Sequence, residues 1–577
     1  MRLHSSLVLV AASLSGRAGA QNCPFLGPAY PYPTDAAAPA FVSAGNAFDA
    51  ALKSAVAEAR IPGNSTFYAI QVYTPSSKKL IYETYYSPTT QKIGPDTVFR
   101  VHSISKLITV YTIISKLGDK YWDEPVAKYI PELARLQSGN PAYDVIWDDV
   151  TIGSLASLMS GVGRDYSFAD FSANGQPKLP GLRDLDDSDV VKCGTERLRP
   201  CTREEALRDI LKVWPFSQSY ATPSYSNMAF QILAYAAENI TGTPFPTLVK
   251  QQLIEPLGLR RTFVTNPGNI SDFALAGGWE TDFGDLAPMG GYFSSPADLT
   301  ALGVSILNST LMPELTTRKW LKPLTHTASL YTSIGRPWEI LRQHTPISST
   351  SKTTRIVDVY TKQGGGQTYT TLIALSPVHN IGISILTAGP QSGAAFKVIK
   401  KLSLSTWPAA AEQAAREAAN ANFGGSYSLF GRNSSLEIGL HPDGPGLFMS
   451  KLVSNGSDIL EVARNLVQAP GRFGLWFYPM NLIGRAFSGT EQAFRGAFGE
   501  VNTPAAEDCA GWAEGDRLRY GRYPGDLAVF SVNGRGQTTG VTMPMLNDGA
   551  FRKAGAQGGI FGRERHGKKG YKLSKGL

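Results

Sequence analysis

The sequence predicts an α+β domain followed by a smaller all-β domain, and three observations carry that expectation. Strand-like runs stand at both ends of a long first region, with a mostly helical stretch between them. One helix of that stretch, opening in FRVHSISKLITVYTII (Phe99 to Ile114), is almost wholly apolar from Leu107 on, the composition of a helix buried on every side. After Asn422 the texture changes to short alternating runs broken by Gly, Asn and Pro, as in a β-rich domain.

The elements follow in chain order. MRLHSSLVLVAASLSGRAGAQNC carries Arg2, a brief apolar run from Leu7 to Leu14 and a small-residue Ala18-Gly19-Ala20 site. This predicts a signal peptide of residues 1–20, cut after Ala20, and hence a secreted protein. A bilayer span needs about 20 apolar residues, and no segment supplies them. FYAIQVYTPSSKKLIYETYY (Phe67 to Tyr86) reads as a hairpin, and the buried helix follows at about Ser103 to Leu117. Thr202-Arg-Glu-Glu205 is a capping box, and Ser295-Pro-Ala-Asp298 is a second helix start. From Thr354 the runs RIVDVYTK, TYTTLIALSP and NIGISILTAG predict strands, closed by a helix at about Ala394 to Leu404. The expected domains are 21–407, a linker helix at 408–422, a β-rich domain at 423–550, and a basic tail at 551–577.

The net charge of +8 does not indicate nucleic acid, because +5 of it sits in RERHGKKGYKLSKGL (Arg563 to Leu577), a solvated end. Cys23, Cys193, Cys201 and Cys509 allow three disulfide pairings. CGTERLRPC suits a local Cys193–Cys201 bond, which would leave Cys23 with Cys509; no histidine lies near any of them to suggest zinc. Sequons occur at Asn64, Asn239, Asn269, Asn308, Asn433 and Asn455, in keeping with a eukaryotic secretory route. The seven histidines show no metal spacing, and no phosphate loop or dinucleotide fingerprint stands out, so neither metal nor cofactor is expected.

The polar mouth of the buried helix needs a reason, since burying an ammonium costs several kcal/mol, on the order of any buried ion. Ser103-Ile-Ser-Lys106 places a hydroxyl and an ammonium three residues apart, on one helical face. A desolvated lysine helps take the proton of a serine, which is otherwise a poor nucleophile. Copies at Ser76 and Ser349 sit in a turn and a polar loop; only the Ser103 copy opens a buried helix. Tyr225-Ser-Asn227 precedes another amphipathic helix, so its tyrosine and asparagine, two apart in an extended loop, point into one cleft. Lys362-Gln363-Gly364 ends a strand and runs into Gly365 and Gly366, where glycines let a substrate backbone approach. His102 reads as a packing residue, and the absence of Gly-x-Ser-x-Gly argues against an α/β-hydrolase elbow.

Order and context of these motifs, with VTIGSLASLMSGVGRDY, EPLGLRRTF and APMGGYFSSPADL between them, resemble the serine β-lactamase and penicillin-binding-protein superfamily. The likeness is to its class C and esterase-like branch, over about Phe41 to Leu404. The layout with a C-terminal β-domain is similar to secreted fungal β-lactamase-like proteins. The resemblance implies an antiparallel sheet flanked by helices plus a helical subdomain. It implies that Ser103 is the acylated nucleophile, Lys106 its proton partner and Tyr225 the general base. Asn227 would hold a substrate amide and orient Lys106, and Lys362 would lower the Tyr225 pKa and attract an anion. The amides of Ser103 and Gly365 would form the oxyanion hole. Gln363 stands where the family usually has Thr or Ser, which puts penicillin hydrolysis in question and leaves esters and amides open. The expected activity is hydrolysis of a small-molecule ester or amide through an acyl-serine. Two rivals are acyl transfer or hydrolysis in fungal secondary-metabolite biosynthesis, and a catalytically inactive binding protein that keeps the fold.

Overall fold

The computed structural model describes residues 24–134, 138–168, 170, 172, 180–194, 198–268, 272–274, 276–486, 489–501, 511–546 and 549–555. The signal-peptide segment, the tail beyond 555, Cys23, Cys509 and Asn269 lie outside them. The chain forms two compact units, one of residues 32–415 and one joining the N-terminal segment up to Pro31 with residues from Arg416 on.

The larger unit is built on an eight-stranded antiparallel sheet. Its strands are β1 (Phe67–Tyr73), β2 (Tyr82–Tyr86), β3 (Thr325–His326), β4 (Thr332–Ile334), β5 (Glu339–Pro346), β6 (Thr354–Gly366), β7 (Tyr369–Ser376) and β8 (Ile381–Ala388), in the order β2-β1-β8-β7-β6-β5-β4-β3. Its helices include α1 (Pro39–Ala57), α2 (Ile104–Leu117), α3 (Met228–Thr241), α4 (Pro296–Leu307) and α5 (Ser392–Phe423) as far as Ala415. Residues along β1 alternate between two cores: Ile70 and Val72 join Phe48, Phe396 and Trp407 on the α1/α5 side, while Ala69 and Tyr73 join the α2 side. Both faces are therefore covered, which is why β1 and β8 are buried along their whole length rather than at alternate residues. The hairpin expected at Phe67–Tyr86 is β1 and β2, paired antiparallel.

One expectation fails in an instructive way. The closing helix at 394–404 and the separate linker at 408–422 are a single helix, α5, with Pro408 inside it. Proline removes one backbone hydrogen bond there. Burial of Trp407, Ala410, Ala411 and Ala414 against the sheet outweighs that loss. The start of the larger unit shifts too: Tyr30 accepts a hydrogen bond from Arg416 and Phe25 packs on Tyr478, so residues 24–31 belong with the smaller unit rather than with 21–407.

A buried ionic clasp pins α5 to the sheet. Arg355 on β6 donates to both carboxylate oxygens of Glu412 (2.9 and 2.8 Å), and His379 Nε2 lies 2.8 Å from the same carboxylate. All three side chains are sealed from solvent. Burial holds His379 below the usual histidine range, so it is neutral and donates to Glu412. Arg355→Met leaves the carboxylate buried without its counter-charge. The expected loss is about 3–5 kcal/mol in denaturant titration, and Arg355→Met/Glu412→Leu together should cost less than the single change.

The smaller unit is all β, as expected. Its strands are β9 (Gly425–Ser428), β10 (Ser435–His441), β11 (Gly444–Ser454), β12 (Ser457–Asp458), β13 (Phe473–Ala486), β14 (Gly489–Glu500), β15 (Leu527–Val532), β16 (Thr538–Thr542) and β17 (Phe551–Lys553). They run in the order β10-β9-β17-β16-β15-β14-β13-β11, and a β10–β11 pairing closes them into an eight-stranded barrel, with β12 appended to β11. Closure removes the free edges that an open sheet would present.

Candidate active site

Ser103 occupies the N-cap position of α2 and Asn227 that of α3, yet neither side chain caps its helix. A serine or asparagine cap is worth about 1 kcal/mol. Here both polar groups are turned to each other's neighbourhood instead. Ser103 Oγ lies 2.6 Å from Tyr225 Oη and accepts from Lys106 Nζ at 3.0 Å. Lys106 Nζ also donates to Asn227 Oδ1 (2.8 Å) and the Met289 carbonyl (2.5 Å). Extended backbone sends Ser226 the opposite way, to the Gly163 carbonyl, so Tyr225 and Asn227 share one side as their spacing required.

Exposure separates the roles. Lys106 and Lys362 are completely buried, whereas Ser103 and Tyr225 are half-buried. Burial pushes the Lys106 ammonium below the usual lysine range, and Lys362 adds to that. Burial alone would raise the Tyr225 phenol, but Lys106 and Lys362 overcome it and bring its pKa down to about 8. Lys362 Nζ stands 5.4 Å from the Tyr225 ring centre. Its own burial is opposed by Glu339, 2.5 Å away, which keeps it charged.

The neighbourhood of Ser103 explains the glycine run. A Cβ on Gly364 would stand 2.1 Å from the Val101 carbonyl and 3.1 Å from the Ser103 nitrogen, and one on Gly366 would meet the His102 ring at 2.8 Å. These two glycines therefore let β6 approach the protein's own α2 entrance, not a substrate as the sequence suggested. Gly365 is the exposed member of the three, and a Cβ there would meet only Thr370 Cγ2, in ordinary contact at 3.9 Å. Strand β5 ends its pairing at Glu339 opposite Thr361, and the Gln363 amide is taken by the Glu339 carboxylate. By the alternation of an antiparallel strand, the Gly365 amide emerges from this same unpaired edge. His102 packs as expected: burial and then Arg100 hold its pKa at about 3, so it is neutral and no base. It does carry backbone strain, with φ +45° immediately before Ser103.

Several groups here carry no motif. Asp165 Oδ1 accepts from Asn227 Nδ2 at 2.9 Å, fixing which end of that amide faces Lys106. Arg164 covers the Tyr225 ring at 4.8 Å. Glu339 reaches Lys362 only through the β5–β6 register, and β5 itself has no sequence signal that marks it. Asp165 and Arg164 lie in the landmark GRDY, which flagged the segment without assigning them a role. Asp165→Ala frees the Asn227 amide to turn. The expected result is a kcat about tenfold lower, the worth of one hydrogen bond, with KM little changed. Asp165→Asn, which can still accept, should restore most of it.

Elsewhere, Cys193 and Cys201 form a disulfide. Asn64, Asn239, Asn308, Asn433 and Asn455 are exposed. Among the described residues no helix is long and apolar enough to cross a membrane.

A sheet sandwiched by helices, with a serine at a buried helix mouth against a lysine and a tyrosine, defines a serine β-lactamase-type protein. The chain belongs to the β-lactamase family, whose profile matches residues 48–405; a β-lactamase-like C-terminal domain profile matches 415–554. It is 30% identical over 502 residues to a "Beta-lactamase-like protein" of Arthroderma benhamiae, covering 80% of this chain and 82% of that one. It is 28% identical over 496 residues to "Probable hydrolase M10" of a Phoma species, covering 81% and 79%. Over 319 residues it is 25% identical to the Escherichia coli "D-alanyl-D-alanine-carboxypeptidase/endopeptidase AmpH", covering 50% of this chain and 71% of that one.

Proposed function

We propose that this protein is a secreted serine hydrolase that cleaves a small-molecule ester or amide through an acyl-Ser103 intermediate. The observation that carries the reading is the position of Ser103 Oγ, within hydrogen-bond reach of a phenol and an ammonium at once. The Tyr225 phenolate takes the Ser103 proton as Oγ attacks the carbonyl carbon. The developing oxyanion is received by the amides of Ser103 and Gly365, donors of a kind worth about 100–1,000-fold each. Tyr225 then gives its proton to the departing group, and water repeats the sequence in reverse to release the acid. Lys106, held by Asn227, and Lys362, held by Glu339, keep the phenol acidic throughout. The leader-like N-terminus, the disulfide and the exposed sequons support secretion and glycosylation.

An acyltransferase would differ only in what attacks the acyl-serine. The intact set of Ser103, Lys106, Tyr225, Asn227 and Lys362 argues against a binding protein that has lost catalysis. The test is a panel of acyl esters, D-amino-acid amides and nitrocefin, with peptide mass mapping of trapped protein. Turnover of an ester or amide with the acyl mass on the Ser103 peptide is expected. No turnover and no adduct across the panel overturns the proposal.

A further inference from the structure

Three cations stand over the Tyr225 ring, Lys106 at 4.9 Å, Lys362 at 5.4 Å and Arg164 at 4.8 Å, and of these only Arg164 is open to solvent. Both lysines are fully buried and already engaged. Lys106 is held by Asn227 and the Met289 carbonyl, Lys362 by Glu339 and the Gln363 carbonyl. The Arg164 side chain is 62% exposed. Among the described residues it donates no hydrogen bond, and its ion-pair contact is with Asp165, 3.5 Å from Nε. That contact occupies the Nε edge and leaves the two terminal nitrogens of the guanidinium free to donate.

The base of this side chain is tied to the loop that carries the phenol. The Arg164 carbonyl accepts from the amides of Asn227 (2.8 Å) and Met228 (3.3 Å) at the start of α3. The preceding Gly163 lies so close to Val213 that a Cβ there would stand 2.4 Å from its Cγ1. Arg164 and Asp165 also line a pocket of about 520 Å³, whose apolar wall includes Leu185, Val213 and Trp214. The other cations lining it are matched, Arg183 by Asp189 at 2.9 Å and Lys212 by Asp209 at 3.6 Å. Arg164 is the cation left over for a ligand. Tyr225 joins it to Ser103: Oγ meets the hydroxyl end of the tyrosine at 2.6 Å, and the guanidinium covers the ring face.

We propose that Arg164 is a specificity-determining residue and that it holds a carboxylate of the substrate, carried about four carbons from the reacting carbonyl, a span comparable with one tyrosine ring. The free edge of a guanidinium matches a carboxylate in two parallel hydrogen bonds. Asp165 offsets part of the local charge, which favours a monoanion over a phosphate dianion. The same fork serves a carboxylate on the acyl part or on the departing part, and the test tells the two apart. The assignment rests on Ser103 being the nucleophile. With monoethyl glutarate, Ser103 Oγ bonds to the ester carbonyl carbon and the bond to the ethoxy oxygen breaks. The serine proton passes through Tyr225 to the departing ethanol, and water then releases glutarate.

The probes are two matched pairs. Monoethyl glutarate against ethyl pentanoate puts the acid on the acyl part; 4-acetoxybutanoate against butyl acetate puts it on the departing part. In one pair, kcat/KM for the acid should exceed that for the neutral ester about five- to tenfold, the scale of one partly exposed bidentate contact. That ratio should fall to about one in Arg164→Gln and below one in Arg164→Glu, an inversion that general damage to the fold does not produce. A ratio at or below one in wild type for both pairs, or a ratio unchanged in the two variants, overturns the assignment. Calorimetric titration of Ser103→Ala with the same probes should show the same preference for the acid, and Ser103→Ala/Arg164→Gln should lack it. If Ser103→Ala still turns the esters over, the hydrolase reading falls while the binding preference stands; turnover that requires Ser103 without any preference for the acid sinks the role of Arg164 alone.

Discussion

Ser103→Ala should lower ester turnover by about 10⁴-fold or more and abolish labelling by a fluorophosphonate probe. Removing a covalent nucleophile eliminates the acylation route outright, and what remains is the catalysis supplied by binding and oxyanion donors alone. The fold should persist, because Ser103 contributes no cap bond to α2 and the helix is held by its buried apolar body. Lys106 loses one of three acceptors but keeps Asn227 and the Met289 carbonyl. Unchanged circular dichroism with lost activity is the expected pair of results; labelling retained in the variant would assign the nucleophile elsewhere.

Tyr225→Phe should slow acylation by roughly 100-fold or more, the loss expected when a general base is removed. The pH dependence sharpens this. In the proposed mechanism the phenol acts in its ionised form, so wild-type kcat/KM should rise as pH increases toward about 8 and level off above it. Tyr225 and Lys106 interact closely enough that the measured midpoint belongs to the pair. Lys362→Met removes a cation that lowers the phenol pKa, so the rising limb should move to higher pH. In Tyr225→Phe that limb should vanish. A rise near pH 8 that survives in the phenylalanine variant would assign the base to another group.

The motifs made the central residues legible because each obeys a local rule. Ser103 and Lys106 are three apart on one helix, and Tyr225 and Asn227 two apart on extended chain, so spacing alone fixes their common direction. The supporting residues obey no such rule. Glu339 meets Lys362 only because β5 pairs with β6 in one register, and Asp165 meets Asn227 across 62 positions of chain. Helix α5 misled the sequence reading because Pro408 is a local stop signal overridden by the burial of Trp407 and its alanines. The glycine run misled it in another way: its positions were right, but the backbone they admit is the protein's own.

The sequence by itself determined the two-domain order and the buried helix with a polar mouth, which follow from short-range periodicity and composition, while its hydroxyl, phenol and ammonium candidates were marked by the order of three motifs and their resemblance to a known superfamily. Only the tertiary structure decided which charges are neutralised and which stay free. Pairing depends on distances between segments far apart in the chain, and the low-dielectric interior in which those distances matter exists only once the segments have packed.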